Sequence, residues 1–283
     1  MVSHGFLQGL LIVGGGMAVS LALVWLIRRA FPADVLRRAH DATGNLLSVV
    51  GTLYAVLLGL IVVDAMVRFE RAMDVVQEES NCLADIYLLA ERLPDAQRMR
   101  LHELCRTYAY EVVDLEWPLM NRARVSVEAR KTALAMVRGL DDFEPVTEAE
   151  KAVFPLLLEQ LRELWDHRRE RANTAEYGIP AVEWAALIIG GAVTILFAGL
   201  FSVENGRLQA VLTCLSALVI GLNLYLVSLF GYPFAGEMAV SSRPFMIDIG
   251  IFEGVYDTRP AHPAEESAGQ GGAAATAEPP RQK

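Results

Sequence analysis

Cysteine is scarce in this chain: Cys82, Cys105 and Cys214 are all it has. Three thiols cannot all pair within one chain, and none stands at a metal-ligand spacing, so neither a disulfide framework nor a metal site is expected. Free thiols suit a reducing compartment. Catalytic signatures are missing too. His102-Glu103 begins like the helix of a zinc protease, but Arg106 occupies the position that needs the second histidine. There is no phosphate-cradling glycine loop and no dinucleotide glycine fingerprint. A serine hydrolase needs a nucleophile elbow or a serine with a facing histidine, and His40 stands only at the mouth of an apolar run. The expectation is a protein that is not an enzyme and has no cofactor. A basic surplus is also lacking. The formal net charge is -9, and from Arg68 to Glu176 we count 22 Asp and Glu against 16 Lys and Arg. That balance argues against nucleic acid as a partner. Finally, no segment alternates in the manner of a strand.

What the chain has is segregation. Hydrophobic residues make up 53% of it, gathered into four windows: Phe6 to Ile27, Leu46 to Val63, Trp184 to Phe201 and Leu208 to Phe230. A bilayer core of about 30 Å takes about 20 apolar helical residues, and soluble core helices seldom stay apolar on every face for that length. The windows are therefore read as four transmembrane helices. The first lacks the basic start of a signal peptide and is followed by Arg28 and Arg29, so it is read as a retained span. An even number of spans puts both termini and the large middle segment on one side. Basic residues near the spans are almost balanced: Arg28, Arg29, Arg37, Arg38 and Arg207 on one side, Arg68, Arg71, Arg162, Arg168, Arg169, Arg171 and Arg243 on the other. Charge counting alone leaves the orientation open.

Past Asp64 the helical pattern continues through Met66, Phe69, Met73, Val76, Ser80, Leu83, Tyr87 and Ala90, a heptad seam. The second span is thus expected to run into water as one rod ending near Pro94. Leu101, Leu104, Tyr108, Val112 and Leu115 mark a second helix stopped by Pro118. Ser126 caps a third through Leu140. Thr147 and Glu150 form a capping box for a fourth, with Phe154, Leu157, Leu161 and Leu164 as its seam. It ends near Gly178, and Pro180 suits the first turn of the third span. The fold class expected is all-α: four transmembrane helices with a helical bundle inserted between the second and third. The divisions are 1–66 for the first two spans, 67–178 for the helical domain, 179–231 for the last two spans, 232–258 for a folded-back clasp and 259–283 for a disordered tail.

Within the second span, Gly51, Ala55 and Gly59 form a stripe of small residues, and Gly44, Ser48 and Thr52 a polar one. Such stripes let helix backbones approach closely, and they can also line a narrow pore about an oligomer axis. Asn223 is a lone polar group in the fourth span, of the kind that bridges helices. Asp64 and Glu183 mark the membrane edge, within reach of Arg68 or Arg71.

The run His40-Asp41-Ala42-Thr43-Gly44 followed by Val50 to Leu58, with Gly51, Thr52, Tyr54 and Ala55, resembles the bacterial bestrophin-like family, formerly a domain of unknown function. So do Glu116-Trp117-Pro118, Arg168 to Arg171, Val203-Glu204-Asn205 with Gln209, and Pro233-Phe234 with Gly236. The match covers about residues 7 to 250. The resemblance implies a pentameric anion channel in the bacterial inner membrane, with membrane lipid, further copies of the chain and an inorganic ion as partners. It implies cytosolic termini and a cytosolic helical vestibule, which breaks the orientation tie. It also implies a pore on the second span. Candidate pore residues are Gly51, Thr52, Ala55 and Gly59, with Leu53, Leu57 and Ile61 as a hydrophobic neck. Two departures stand out. Only Glu237 occupies the place where bestrophins carry an acidic calcium cluster, so no calcium gate is expected, and the second span lacks an aromatic constriction. The alternative is a non-conducting membrane scaffold or sensor whose domain docks a partner.

Overall fold

The computed structural model describes residues 4–255 apart from 142, 202, 204 and 237. Glu204, Glu237 and the expected tail at 259–283 lie outside the described residues. The chain is all-helical, and no strand occurs among the described residues. In order the elements are α1 (His4–Ala30), α2 (Ala33–Arg38), α3 (His40–Ala90), α4 (Asp95–Tyr110), a π-helical turn (Glu111–Glu116), α5 (Trp117–Met120), α6 (Val127–Arg138), α7 (Glu148–Glu176), α8 (Ala181–Leu200), α9 (Gly206–Phe230) and α10 (Arg243–Phe252). Among the described residues four helices are long and apolar enough to cross a bilayer: α1, α3, the run from α7 into α8, and α9.

The defining element is α3, at 51 residues. At 1.5 Å per residue it is about 76 Å long, more than twice a bilayer core. Its first half packs on α8 and α9, its second half on α7, α4 and α10. One helix therefore belongs to both the membrane part and the water-exposed part. The remaining span, α1, packs on α9 and α8. Small residues bring these helices together: a methyl group on Gly221 of α9 would stand 3.2 Å from the backbone of Val13.

The helix ends follow their local chemistry. Ser126 Oγ accepts from Ala129 N at the start of α6. Thr147 and Glu150 form the reciprocal capping box at the start of α7. Asn205 Oδ1 accepts from Arg207 N and Leu208 N to start α9. Pro180 sits at the N-cap position of α8, one place before its first turn.

Two expectations about the domain need correction. Pro118 does not stop the second helix. α4 loosens into the π turn at Glu111–Glu116, and helix resumes through Pro118 to Met120. A proline lacks the amide for the ordinary ladder, and a π turn absorbs that break without ending the helix. The seam on α3 is also shifted. Met66 and Met73 are exposed, while Ala65, Ala72, Val75 and the carboxylate-bearing Glu79 are buried beside Val76, Ser80 and Leu83.

After α9 the chain turns back. Pro233 and Phe234 are buried, and α10 packs against α3 and α4. Trp117 Nε1 donates to Val240 O at 3.0 Å, and its ring meets Phe234 edge-on at 5.8 Å. Arg106 donates to Phe252 O, the carbonyl at the C-terminal end of α10, at 2.8 and 3.2 Å, the end where a cation is favoured. Tyr87 stacks between Phe252 and His102.

Candidate functional site

The membrane half of α3 has one covered face. Tyr54, Leu58, Ile61 and Ala65 are buried, and they pack with Leu187 of α8, Val227 of α9 and Ile179. Tyr54 fixes the arrangement. Its hydroxyl donates to Leu187 O at 3.0 Å, and its ring lies where a side chain on Gly190 would stand, 2.4 Å from that missing methyl. Glycine at 190 is what lets the ring in.

The sequence-derived pore candidates fall around the rest of this helix. Gly51 is half-buried, Thr52, Leu53, Ala55, Leu57 and Gly59 are exposed, and Ile61 is buried against the neighbouring spans. A methyl added at Gly51 or Gly59 would meet nothing within 4 Å. The hydroxyls of Ser48 and Thr52 donate to the carbonyls of Gly44 and Ser48 on their own helix. Asn223 likewise donates to Val219 O within α9, and among the described residues it bridges no helices.

Opposite the covered face runs a strip at intervals of seven that no element among the described residues covers. Val49, Val56, Val63, Glu70 and Gln77 are all exposed, flanked by Asp74, Asn81 and Asp85. A straight helix drifts about 20° per heptad, so this strip winds slowly and follows an axis crossed at a shallow left-handed angle. It is aliphatic over the membrane half and acidic or amide over the rod. Val49, Val56 and Val63 were not among the sequence candidates. Their seven-residue spacing was the available signal.

The charges beside this strip divide cleanly. Arg68 pairs with Asp64 at 2.6 Å, and Arg71 with Glu170 at 2.6 Å and Glu78 at 3.4 Å. Glu70, Asp74 and Asp85 form no salt bridge among the described residues, although Asp74 acts on Arg71 through space. Glu183 pairs with neither arginine, and one of its carboxylate oxygens is buried without a partner.

The motif residues of the short loops and the clasp act in packing. The His40 ring meets Phe201 at 4.2 Å, tilted by 34°, and Gly44 lies against the same Phe201 ring. Gln209 ties the loop before α9 by accepting from Val203 N and donating to Ala198 O. Gly236 has φ 83°, the left-handed region that suits glycine, and its amide donates to Asn121 Oδ1. Asp41 and Pro118 are exposed.

Glu116, Arg168 and Arg171 converge in the domain, joined by Glu79. Arg168 grips Glu116 through two hydrogen bonds of 2.6 and 2.8 Å. Arg171 grips Glu79 through two of 2.6 and 2.9 Å and reaches Glu116 at 2.8 Å. Tyr108 Oη donates to Glu79, and Ser126 N to Glu116. The Arg171 guanidinium lies against Trp117 and Phe245. All four charged side chains are buried. Two positive and two negative charges cancel, which is the condition for holding ions out of water. Burial pushes the Glu116 carboxyl up, but Arg171 and Arg168 together outweigh it and hold it down at about 2. The quartet fastens α3, α7 and the π turn to one another. The π turn carries Glu116 itself. Arg168 and Arg171, counted from sequence as charges flanking the third span, are interior residues of the domain.

The bestrophin-like domain model matches residues 14–245. The chain belongs to the bestrophin-like family. Among solved structures it is similar to a bacterial bestrophin homologue from Klebsiella pneumoniae, with a TM-score of 0.61 at 12% identity, covering 87% of this chain and 98% of that one. A point variant of that homologue gives a TM-score of 0.60 at 13% identity over 84% and 98% of the two chains. At that identity the likeness speaks for the fold. No curated protein matches the chain. The family and the all-α fold with four membrane helices thus stand as the sequence implied.

Proposed function

We propose that this protein is an oligomeric ion channel of the bacterial inner membrane, with α3 lining the pore and the helical domain in the cytoplasm. The observation that carries the reading is the heptad strip on α3, left bare by every described element of its own subunit. A ring of copies with this strip inward gives a continuous conduit, aliphatic through Val49, Val56 and Val63 and polar below. The two other exposed faces of α3 then meet at the subunit contacts. The small stripe of Gly51, Ala55 and Gly59 on one flank is a shallow bed for Leu53, Leu57 and Leu60 on the neighbour's opposite flank. Thr52 stands at the edge of the strip itself. Ile61 packs within its own subunit and is dropped from the neck.

The sign of the ion departs from the chloride expected of the family. The charges of the strip that form no salt bridge among the described residues, Glu70, Asp74 and Asp85, are all acidic, and the two arginines nearby are paired with carboxylates. A conduit walled by one sign concentrates the opposite ion, so the strip favours cations. Purified protein in planar bilayers under a potassium chloride gradient tests this. A reversal potential near the potassium equilibrium value supports the reading, and one near the chloride value restores the anion reading. Protein that assembles without conducting supports the scaffold alternative, for which the exposed Met66 and Met73 would be docking residues.

A further inference from the structure

We propose that the bilayer-facing side of the helical domain is a docking surface for anionic lipid headgroups, built on Arg122, Arg124 and Arg130. The domain is acidic overall, yet from Asn121 to Lys131 the chain carries four bases and the single acid Glu128. Arg122, Arg124 and Arg130 are exposed, and none of them meets a carboxylate among the described residues. Elsewhere in the domain Arg71, Arg98 and Arg162 do. Arg92, Arg100 and Arg138 also form no salt bridge among the described residues but do not share the patch's place beside the spans. The Glu128 carboxylate is taken up by the hydroxyl of Ser126.

Two independent tethers set this patch beside the membrane. At the domain-side ends of α8 and α9, Trp184 Nε1 donates to Tyr232 Oη at 3.2 Å, a Trp–Tyr pair of the kind that sits at headgroup level. Four residues beyond Tyr232, Gly236 N donates to Asn121 Oδ1, and four residues of chain span at most about 14 Å. On the other flank, Arg130 shares a cleft of about 110 Å³ with Asn173 and Glu176. Glu176 ends α7, and only three residues separate it from Pro180 at the start of the span. Arg122 and Arg124 project from the turn in which Ala123 takes φ 54°. Exposed Val127 adds an apolar contact at the same edge.

Arg122 and Arg124 lie on open surface, and Arg130 borders only the small cleft beside Glu176. That geometry suits a plane of headgroups better than one soluble anion. Anionic lipid attracts juxtamembrane bases within a Debye length, about 8 Å at physiological salt. The inference holds whether or not the protein conducts.

Full-length protein in nanodiscs of phosphatidylcholine, with and without phosphatidylglycerol, provides the test, with amide hydrogen exchange over 121–131 as the readout. Exchange should slow several-fold when phosphatidylglycerol is present. The effect should vanish at high salt and in the variant Arg122→Gln, Arg124→Gln, Arg130→Gln, while α7 keeps its protection as the check on folding. Equal exchange in both discs would overturn the proposal, as would slowing that survives in the triple variant. Slowing produced by inorganic phosphate in phosphatidylcholine discs would overturn it in favour of a soluble anion.

Discussion

Arg171 and Glu79, 92 residues apart in sequence, face each other in the middle of the helical domain, joined by two hydrogen bonds and both fully buried. Removing one partner of such a pair strands a charge in the interior, which costs about 3–5 kcal/mol. Arg171→Met should therefore lower the thermal unfolding midpoint of the purified protein sharply. Arg171→Met combined with Glu79→Met removes one charge of each sign and leaves Arg168 with Glu116. The double variant should unfold at a higher temperature than the single one. If the double variant is the less stable, the pair acts through its hydrogen bonds and not through charge balance.

This quartet also shows where the sequence stopped being legible. The caps at Ser126 and Thr147, the four spans and the long rod could be read directly, because each is a local matter of spacing and side-chain chemistry. Glu79 could not. Charged side chains default to solvent, and nothing near Glu79 announces that Arg171 will meet it. A signal existed in the seam of α7: Leu157, Leu161 and Leu164 continue at the same spacing into Arg168 and Arg171, so the arginines occupy core positions. Likewise Ala72, Val76, Glu79, Leu83, Ile86 and Ala90 form the true seam of α3. Preferring methionine to glutamate as a buried residue shifted that seam onto Met66 and Met73. The pore assignment lay out of reach for another reason. Which exposed face meets another subunit is a property of the assembly, and the single chain shows only which faces are bare.

Acid and base should act oppositely on the two buried carboxyls. Glu116 is held at about 2, below its ordinary value of 4.5, so it contributes stability above that value which is lost as pH falls toward 2. Asp248 of α10 is raised by burial from 3.8 to about 6, against a hydrogen bond of 2.6 Å from Ser80 Oγ. Its native state holds the proton more tightly, so docking of α10 weakens as pH rises through the window from about 4 to 6. Hydrogen exchange over α10 should quicken across that window. Asp248→Asn keeps an acceptor for Ser80 and should leave exchange flat with pH. A slope unchanged in the variant would place the titrating group elsewhere.

Tyr54 and Gly190 should behave as one unit. Gly190→Ala sets a methyl 2.4 Å from the Tyr54 ring, an overpacking that costs about 1–3 kcal/mol. Tyr54→Phe forfeits only the bond to Leu187 O, about 1 kcal/mol. Detergent-solubilised protein should follow that order in thermal unfolding, with Gly190→Ala the more damaging. The reverse order would mean that the ring moves aside easily and the hydroxyl carries the contact.

Three positions within one turn of α3, Ala55, Val56 and Leu58, separate the subunit contact, the pore and the subunit interior. Successive residues on a helix lie 100° apart, so Val56 points along the bare strip, Ala55 along the small flank and Leu58 into the packing with α8 and α9. In a Cys214→Ser background, where only the buried Cys82 and Cys105 remain, Val56→Cys should let a charged thiol reagent cut the current. Leu58→Cys should be silent. Ala55→Cys paired with Leu57→Cys should yield a ladder of disulfide-linked oligomers. The two positions lie about 160° apart on one helix and cannot meet within a chain. A current blocked at Ala55 and indifferent at Val56 would turn the helix by one residue and make the small stripe the lumen wall. A current blocked at neither, in protein whose cross-links show an intact ring, would move the pathway off α3 altogether.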